Sequence, residues 1–307
     1  MKKIFFKALL GTAAAATIIF STAIFGACNY GLPIFLYAET GVEERATTPI
    51  TLYGSNLPQV GDSGKYSFVV LTDSHFGSDH TGRREDSFLL KFTELLRNPD
   101  PALRPRFIVN LGDTMDGGHS SEADLFNAAA ARWIATAKAE LGVSDYKVYS
   151  ILGNHDLYNN GWENWRCKIY PYNSCYNFTL SAGGSTPFDF LFLDTGNGTL
   201  GANQLESLEA VMQASWRPKI VFMHYALYGD GLFYFAIDDI EERSRLISDF
   251  AKTNVKYIFE GHTHSCHDFD FGPFKEIVVG SYLEKKVFGL VTIDENAGSV
   301  SFARLNY

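Results

Sequence analysis

Five short polar segments each follow directly on an apolar run. Asp73-Ser74-His75 follows residues 66–71, Gly112-Asp113 follows 107–111 and Gly153-Asn154-His155-Asp156 follows 146–152. His224 follows 219–223, and Gly261-His262-Thr263-His264 follows 255–260. The runs are short and rich in Val, Ile, Phe and Tyr, as buried strands are. If they lie side by side in sheets, all five polar segments gather at the strands' carboxyl ends, where open α/β sheets form their ligand crevice. Five of the chain's 8 histidines (His75, His155, His224, His262, His264) lie there, beside Asp73, Asp113 and Asn154. The i, i+2 spacing within Asp73-Ser74-His75 and His262-Thr263-His264 puts both side chains on one side of an extended backbone.

The intervening sequence predicts helices. Residues 84–96 carry Phe88, Leu89, Phe92, Leu95 and Leu96 at helical spacing, and 122–140, 204–213 and 240–253 read likewise. A further buried strand is expected at 188–193. Strand, helix, strand in alternation is βαβ grammar, which implies parallel strands with helices on the sheet face. From residue 268 onward the helical pattern stops. Short runs at 276–279, 287–293 and 300–305, separated by Gly and Asn turn residues, predict an antiparallel finish. One α/β domain with two sheets, over 65–307, fits this order better than two domains.

Before it lie a leader and a tether. Lys2, Lys3 and Lys7 precede an apolar run over residues 8–27, the pattern of a signal peptide spanning 1–27. Ile24-Phe25-Gly26-Ala27-Cys28 resembles a bacterial lipobox, with Phe25 where Leu is usual, so a lipidated Cys28 is the first expectation. A plain cleaved signal and a retained anchor of roughly 20 residues are the alternatives. All three place the domain outside the cytoplasm, as a membrane-associated or secreted protein. Residues 28–64 read as a tether. Of the remaining cysteines, Cys167 and Cys175 are close enough in sequence to close a small loop, with Cys266 left over; free, buried thiols are the alternative.

Charge excludes one class of partner. With a net charge of −9 in 307 residues, the chain has no basic stripe for capturing duplex nucleic acid. A small phosphate ester would need local positive charge, which bound divalent ions supply.

The five segments, in this order, resemble those of the calcineurin-like metallophosphoesterases: Asp-x-His, Gly-Asp, Gly-Asn-His-Asp, a single His and Gly-His-x-His. The resemblance runs from about residue 65 to the end of the chain. It implies two facing mixed β-sheets flanked by helices, in four layers. It also implies two metal ions, with Asp73, His75 and His264 on one, Asn154, His224 and His262 on the other, and Asp113 bridging them. Imidazole and carboxylate ligands suit Mn, Fe, Zn or Co. Two ions about 3.5 to 4 Å apart polarise a phosphoryl oxygen and activate a bridging hydroxide for in-line attack on a phosphomonoester or phosphodiester. His155 matches the family's catalytic histidine, with Asp116 the better match for its carboxylate partner and Asp156 the second candidate. Gly117 after Asp116 departs from the Asp-Arg-Gly of the protein phosphatases. His75 and Met115 depart from the tyrosine-metal purple acid phosphatases. A non-catalytic, envelope-anchored binding protein on the same fold is the alternative function.

Other residues carry weaker expectations. His80, His119 and His267, and Arg83 and Arg84, read as ordinary loop or cap residues with a smaller prospect of touching the site. The aromatic set Tyr225, Tyr228, Phe233, Tyr234 and Phe235 suits either a specificity wall or core packing. The loop 159–185 is where substrate contacts are expected.

Overall fold

The computed structural model describes residues 39–46, 49–78, 81–229 and 236–307, with only the backbone for 81–84. The expected leader at 1–27, Cys28, His80, Phe233, Tyr234, Phe235 and the side chains of Arg83 and Arg84 lie outside the described residues. Among the described residues no helix is long and apolar enough to cross a membrane.

Two sheets face each other. The first has the order β12-β11-β2-β3-β4, built from β2 (Lys65–Leu71), β3 (Pro105–Asn110), β4 (Val148–Ser150), β11 (Val287–Asp294) and β12 (Ser299–Asn306). Its β2, β3 and β4 run parallel, and β11 runs antiparallel to both β2 and β12. The second has the order β1-β5-β6-β7-β8-β10-β9. Its members are β1 (Ile50–Thr51), β5 (Tyr176–Leu180), β6 (Phe188–Phe192), β7 (Lys219–Phe222), β8 (Val255–Glu260), β9 (His267–Asp270) and β10 (Lys275–Val278). Here β6, β7, β8 and β10 run parallel, while β5 and β9 pair antiparallel with β6 and β10. The antiparallel finish is thus corrected at β10, which follows a hairpin partner and so points the same way as β8.

Alternation along the strands explains the layers. In β2, Phe68 and Val70 face the second sheet while Val69 and Leu71 face helices, and all four are fully buried. The inter-sheet core is largely aromatic: Phe68 stacks on Phe107 at 4.6 Å, and Phe192 on Phe222 at 4.6 Å. Each such buried ring contributes about 1.5–3 kcal/mol of apolar transfer. On the outer face of the first sheet lie α2 (Thr81–Leu96) and α3 (Ser120–Leu141), packed through Phe88, Phe92 and Trp133. On the outer face of the second lie α5 (Gly201–Gln213) and α6 (Ile240–Lys252), packed through Leu205, Leu208, Leu246 and Phe250. Helix, sheet, sheet, helix is the result.

Two expectations change. Of the 28–64 stretch expected as a tether, residues 39–46 and 49–64 are docked: a short helix α1 (Val42–Arg45) and β1 belong to the same compact unit as the two sheets. The cause is a set of polar partners, above all Arg45 with Asp194, which hydrophobic periodicity does not register. The 159–185 stretch holds α4 (Gly161–Lys168) and β5 rather than one long loop. Within it Cys167 is exposed, Cys175 is buried and the two are unbridged, while Cys266 is exposed and free. Burial of Cys175 against Val42 and Ala46 satisfies it as an apolar side chain instead.

Candidate metal centre

Strand register brings the five segments level. Val70 pairs with Val109 and Val109 with Tyr149, so the carboxyl ends of β2, β3 and β4 open side by side. Phe192 pairs with Phe222 and Phe222 with Phe259, which levels β6, β7 and β8. Asp73, Asp113, Asn154, His224 and His262 therefore meet across the gap between the sheets.

Their donor atoms converge. His75 Nε2 lies 3.2 Å from His264 Nε2, and His264 Nε2 lies 3.6 Å from Asp73 Oδ1. His224 Nε2 lies 3.3 Å from Asn154 Oδ1 and 3.3 Å from Asp113 Oδ2. His75 Nε2 is 3.8 Å from the same Asp113 Oδ2. Donors about 2.1 Å from one ion stand roughly 3.0–3.4 Å apart in octahedral or tetrahedral arrangement, and the pairs at 3.2 and 3.3 Å fit a shared cation. Among the described residues three groups have ligand atoms within 4.8 Å of one another: His75, Asp116 and His155 form one, and the two that carry the expected ligands are Asp73, His75, Asp113 and His264, and Asp113, His224 and His262. Asp113 belongs to both. Asp73 Oδ2 is buried without a hydrogen-bond partner, which a cation would remedy.

The charges point the same way. Burial pushes the His75 imidazole down, but Asp116, Asp113 and Asp73 outweigh it and raise it to about 9. His224 is likewise raised to about 9, with Asp113 and Asp73 overcoming burial. Burial would raise the Asp113 carboxyl, yet His224, His155 and His75 hold it well below the usual range. His262 goes the other way, to about 3, through burial and the neighbouring His224. The metal-free cluster draws protons onto imidazoles to balance its carboxylates, and a divalent ion would replace those protons.

The backbone of these segments is not extended, as the i, i+2 reading assumed. Asp73, His75, Asp113, His262 and His264 all have left-handed φ, between 43° and 63°. Such a residue costs about 1–2 kcal/mol, and a cluster of them marks a site where geometry is over-determined. Close approach demands glycine beside them. A Cβ on Gly153 would collide with the Asp113 side chain and amide, and one on Gly261 would collide with Thr72 Oγ1. Gly153→Ala is therefore expected to lower stability by about 1–3 kcal/mol, the range for overpacking, and to displace Asp113. Thermal melts and elemental analysis of the purified variant would show both losses.

Surrounding groups aim the ligands. His224 Nδ1 donates to the Leu111 carbonyl (2.8 Å), which leaves Nε2 facing Asp113. Asn154 Nδ2 donates to Tyr158 Oη (3.0 Å), turning Oδ1 toward His224. His264 Nδ1 stands 3.2 Å from Glu284 Oε2, a partner that sequence reading missed because Glu284 lies in the turn beyond β10 rather than directly at a strand end. Tyr225 stacks on His262 with centroids 3.9 Å apart, whereas Tyr228 packs away from the cluster against Phe269.

His155 sits at the edge of the cluster. Its amide donates to Asp113 Oδ1 (2.9 Å), its ring stands perpendicular to that of His75 at 4.5 Å, and its Nδ1 donates to the Asp116 carbonyl at 2.8 Å. The Asp116 carboxylate lies 3.3 Å from His75 Nδ1, and Asp116 also has a carboxylate oxygen within 4.8 Å of a His155 ring nitrogen. Asp156, the second candidate, is held by main-chain amides. Fully buried, it accepts from the amides of Gly153, Thr114 and Met115, and burial with the charge of Asp113 raises it to about 7. It ties two ligand loops together. His119 is exposed at the start of α3, and His267 stands in β9 beside Tyr228.

Comparison with known proteins agrees with this geometry. A family model described as calcineurin-like phosphoesterase matches residues 66–266. A search of curated protein sequences finds no match. Among solved structures, the chain is similar to a dimetal phosphatase from Danio rerio, at 14% identity over 79% of this chain and 99% of that one, with a TM-score of 0.53. It is also similar to GAP50, the anchor in the inner membrane complex of Plasmodium, at 15% identity over 79% and 89% of the chains, with a TM-score of 0.54. These two likenesses concern the fold. The family rests on the match that spans all five polar segments, and by that match the chain belongs to the calcineurin-like phosphoesterases.

Proposed function

We propose that the protein is a dinuclear metal-dependent phosphoesterase that hydrolyses phosphomonoesters or phosphodiesters, with His155 as its catalytic histidine. The observation that carries this reading is Asp113, whose carboxylate belongs to both donor groups. Asp73, His75 and His264 would hold one ion, Asn154, His224 and His262 the other, and Asp113 would bridge them. When bound, such ions supply Lewis-acid polarisation of the phosphoryl group and a water activated for in-line attack. The imidazole and carboxylate donors suit Mn, Fe, Zn or Co.

The chain's own groups do the rest. Asp73 and Asp113, on a chain of net charge −9, repel a phosphate ester until cations offset them, so substrate binding depends on metal loading. With Nδ1 committed to the Asp116 carbonyl, His155 has Nε2 as the atom that hydrogen-bonds the phosphoryl group or delivers a proton to the departing oxygen. A main-chain carbonyl holds its Nδ1 proton. The domain's place of work is proposed as extracytoplasmic and membrane-associated, on the strength of Lys2, Lys3, Lys7, the apolar run at 8–27 and Cys28.

Hydrolysis of an aryl phosphate and an aryl phosphodiester with added Mn tests the reading. His155→Asn is expected to lower kcat by about 10²–10⁴-fold while elemental analysis still finds both ions. A metal-loaded protein that cleaves neither ester nor any of a nucleotide panel would instead be a binding protein on this fold.

A further inference from the structure

The segment ahead of the family-matched stretch reaches the metal centre through a continuous set of buried bonds. Arg45 and Asp194 both have fully buried side chains, and the guanidinium grips the carboxylate twice, Nη2 to Oδ1 at 2.9 Å and Nε to Oδ2 at 3.1 Å. Arg45 Nη1 donates to the Thr40 carbonyl, and Trp162 lies over the guanidinium at 5.9 Å. Asp194 in turn fixes the turn after β6. Its Oδ1 accepts from the Gly196 amide at 3.1 Å, and Gln204 brackets its main chain with bonds of 2.9 and 2.8 Å. Inside that turn sits buried Thr195. Its Oγ1 accepts from both the His224 and the Tyr225 amides, each at 3.0 Å.

We infer that Arg45, Asp194 and Thr195 are positioning residues for the ion that His224 would hold. The inference rests on the proposed role of His224 as a ligand. The two amides at the end of β7 have a single acceptor between them, and a hydroxyl oxygen has two lone pairs, so Thr195 satisfies both. Without it, buried N–H groups lose their partner and the turn that carries His224 reorganises. Arg45 holds Thr195 in place by holding Asp194. A planar, two-pronged grip of this kind is one that lysine does not reproduce. Residues that orient metal ligands from outside typically carry about 10–100-fold in metal affinity.

The test is a chelator-competition titration that resolves the two ions in the full chain, with circular dichroism to check folding. His224→Ala identifies which ion depends on that ligand. Thr195→Val is expected to weaken the same ion by about 10–100-fold and leave the other unchanged, with Thr195→Ser restoring near-native affinity. Arg45→Lys is expected to weaken the same ion. Native affinity in Thr195→Val and Arg45→Lys, or equal weakening of both ions, overturns the inference while leaving the proposed function intact. If Thr195→Val does not fold, native affinity in Arg45→Lys alone overturns it. Retention of both ions by His224→Ala would sink the ligand assignment itself.

Discussion

Asp113→Asn is expected to abolish tight binding at both metal positions, a loss no other single exchange of a ligand should produce. Its Oδ2 faces His224 Nε2 at 3.3 Å and His75 Nε2 at 3.8 Å, while its Oδ1 accepts the His155 amide. Asparagine keeps the size and can keep the bond from His155, so the fold should survive. What disappears is the charge that both donor groups share. Groups that merely orient ligands are worth about 10–100-fold in affinity, so a shared ligand should cost at least about 100-fold at each ion. Without that charge, His75 and His224 also lose one of the causes that hold them near 9. Chelator competition would show the loss, and near-ultraviolet circular dichroism would show the retained fold. A variant that holds one ion at native affinity would mean that Asp113 serves only one position.

The second large effect is on stability. Metal binding to the folded state alone stabilises by about 4 kcal/mol per ion at a thousandfold excess over Kd. For a chain of this size, each kcal/mol is worth about 2–4 °C. Stripping both ions should therefore lower Tm by on the order of 15 °C or more. The gap should also widen between pH 7 and pH 9. In the metal-free protein His75 and His224 are raised from 6.5 to about 9, because neighbouring carboxylates overcome burial. A raised folded-state pKa contributes stability that is complete below 6.5 and is lost as pH rises through about 9. Asp156, raised to about 7, acts in the same direction up to that pH. Metal loading expels the histidine protons, so binding strengthens over the range in which the metal-free protein weakens. Calorimetric scans of stripped and loaded protein at pH 7, 8 and 9 would settle the sign, and a gap that narrows with pH would contradict the charge balance described for the cluster.

Much of this was legible from residue order. The strands that end on ligands stand where the apolar runs placed them, with β8 matching its predicted bounds and β2 within one residue. Periodicity reports burial, and those strands are buried on both faces. Strand β5 was missed although Tyr176, Phe178 and Leu180 alternate cleanly, because the intervening Asn177 and Thr179 resembled loop composition. The left-handed backbone at Asp73, His75, Asp113, His262 and His264 left no trace in the sequence, since it is imposed by contacts between segments far apart in the chain. The same is true of Glu284 beside His264 and of Asp116 turning its carboxylate to His75. Residue types announced which groups belong to the centre, but the choice of partner within it is tertiary. Arg45 shows the limit most clearly: a single charged residue in a stretch of mixed composition finds its partner 149 positions away.

The place of β11 in the first sheet bears on how the protein can be cut. It lies between β2 and β12, pairing with β2 from Gly289 opposite Val70 to Asp294 opposite Lys65. A recombinant fragment trimmed to residues 66–266 would keep the five polar segments and lose β11. The long apolar strand β2 would then become an uncovered sheet edge, its amides and carbonyls open to another molecule. Strand edges of that kind recruit one another. Such a fragment should precipitate or form oligomers, and its failure would say nothing about the metal ligands it still carries.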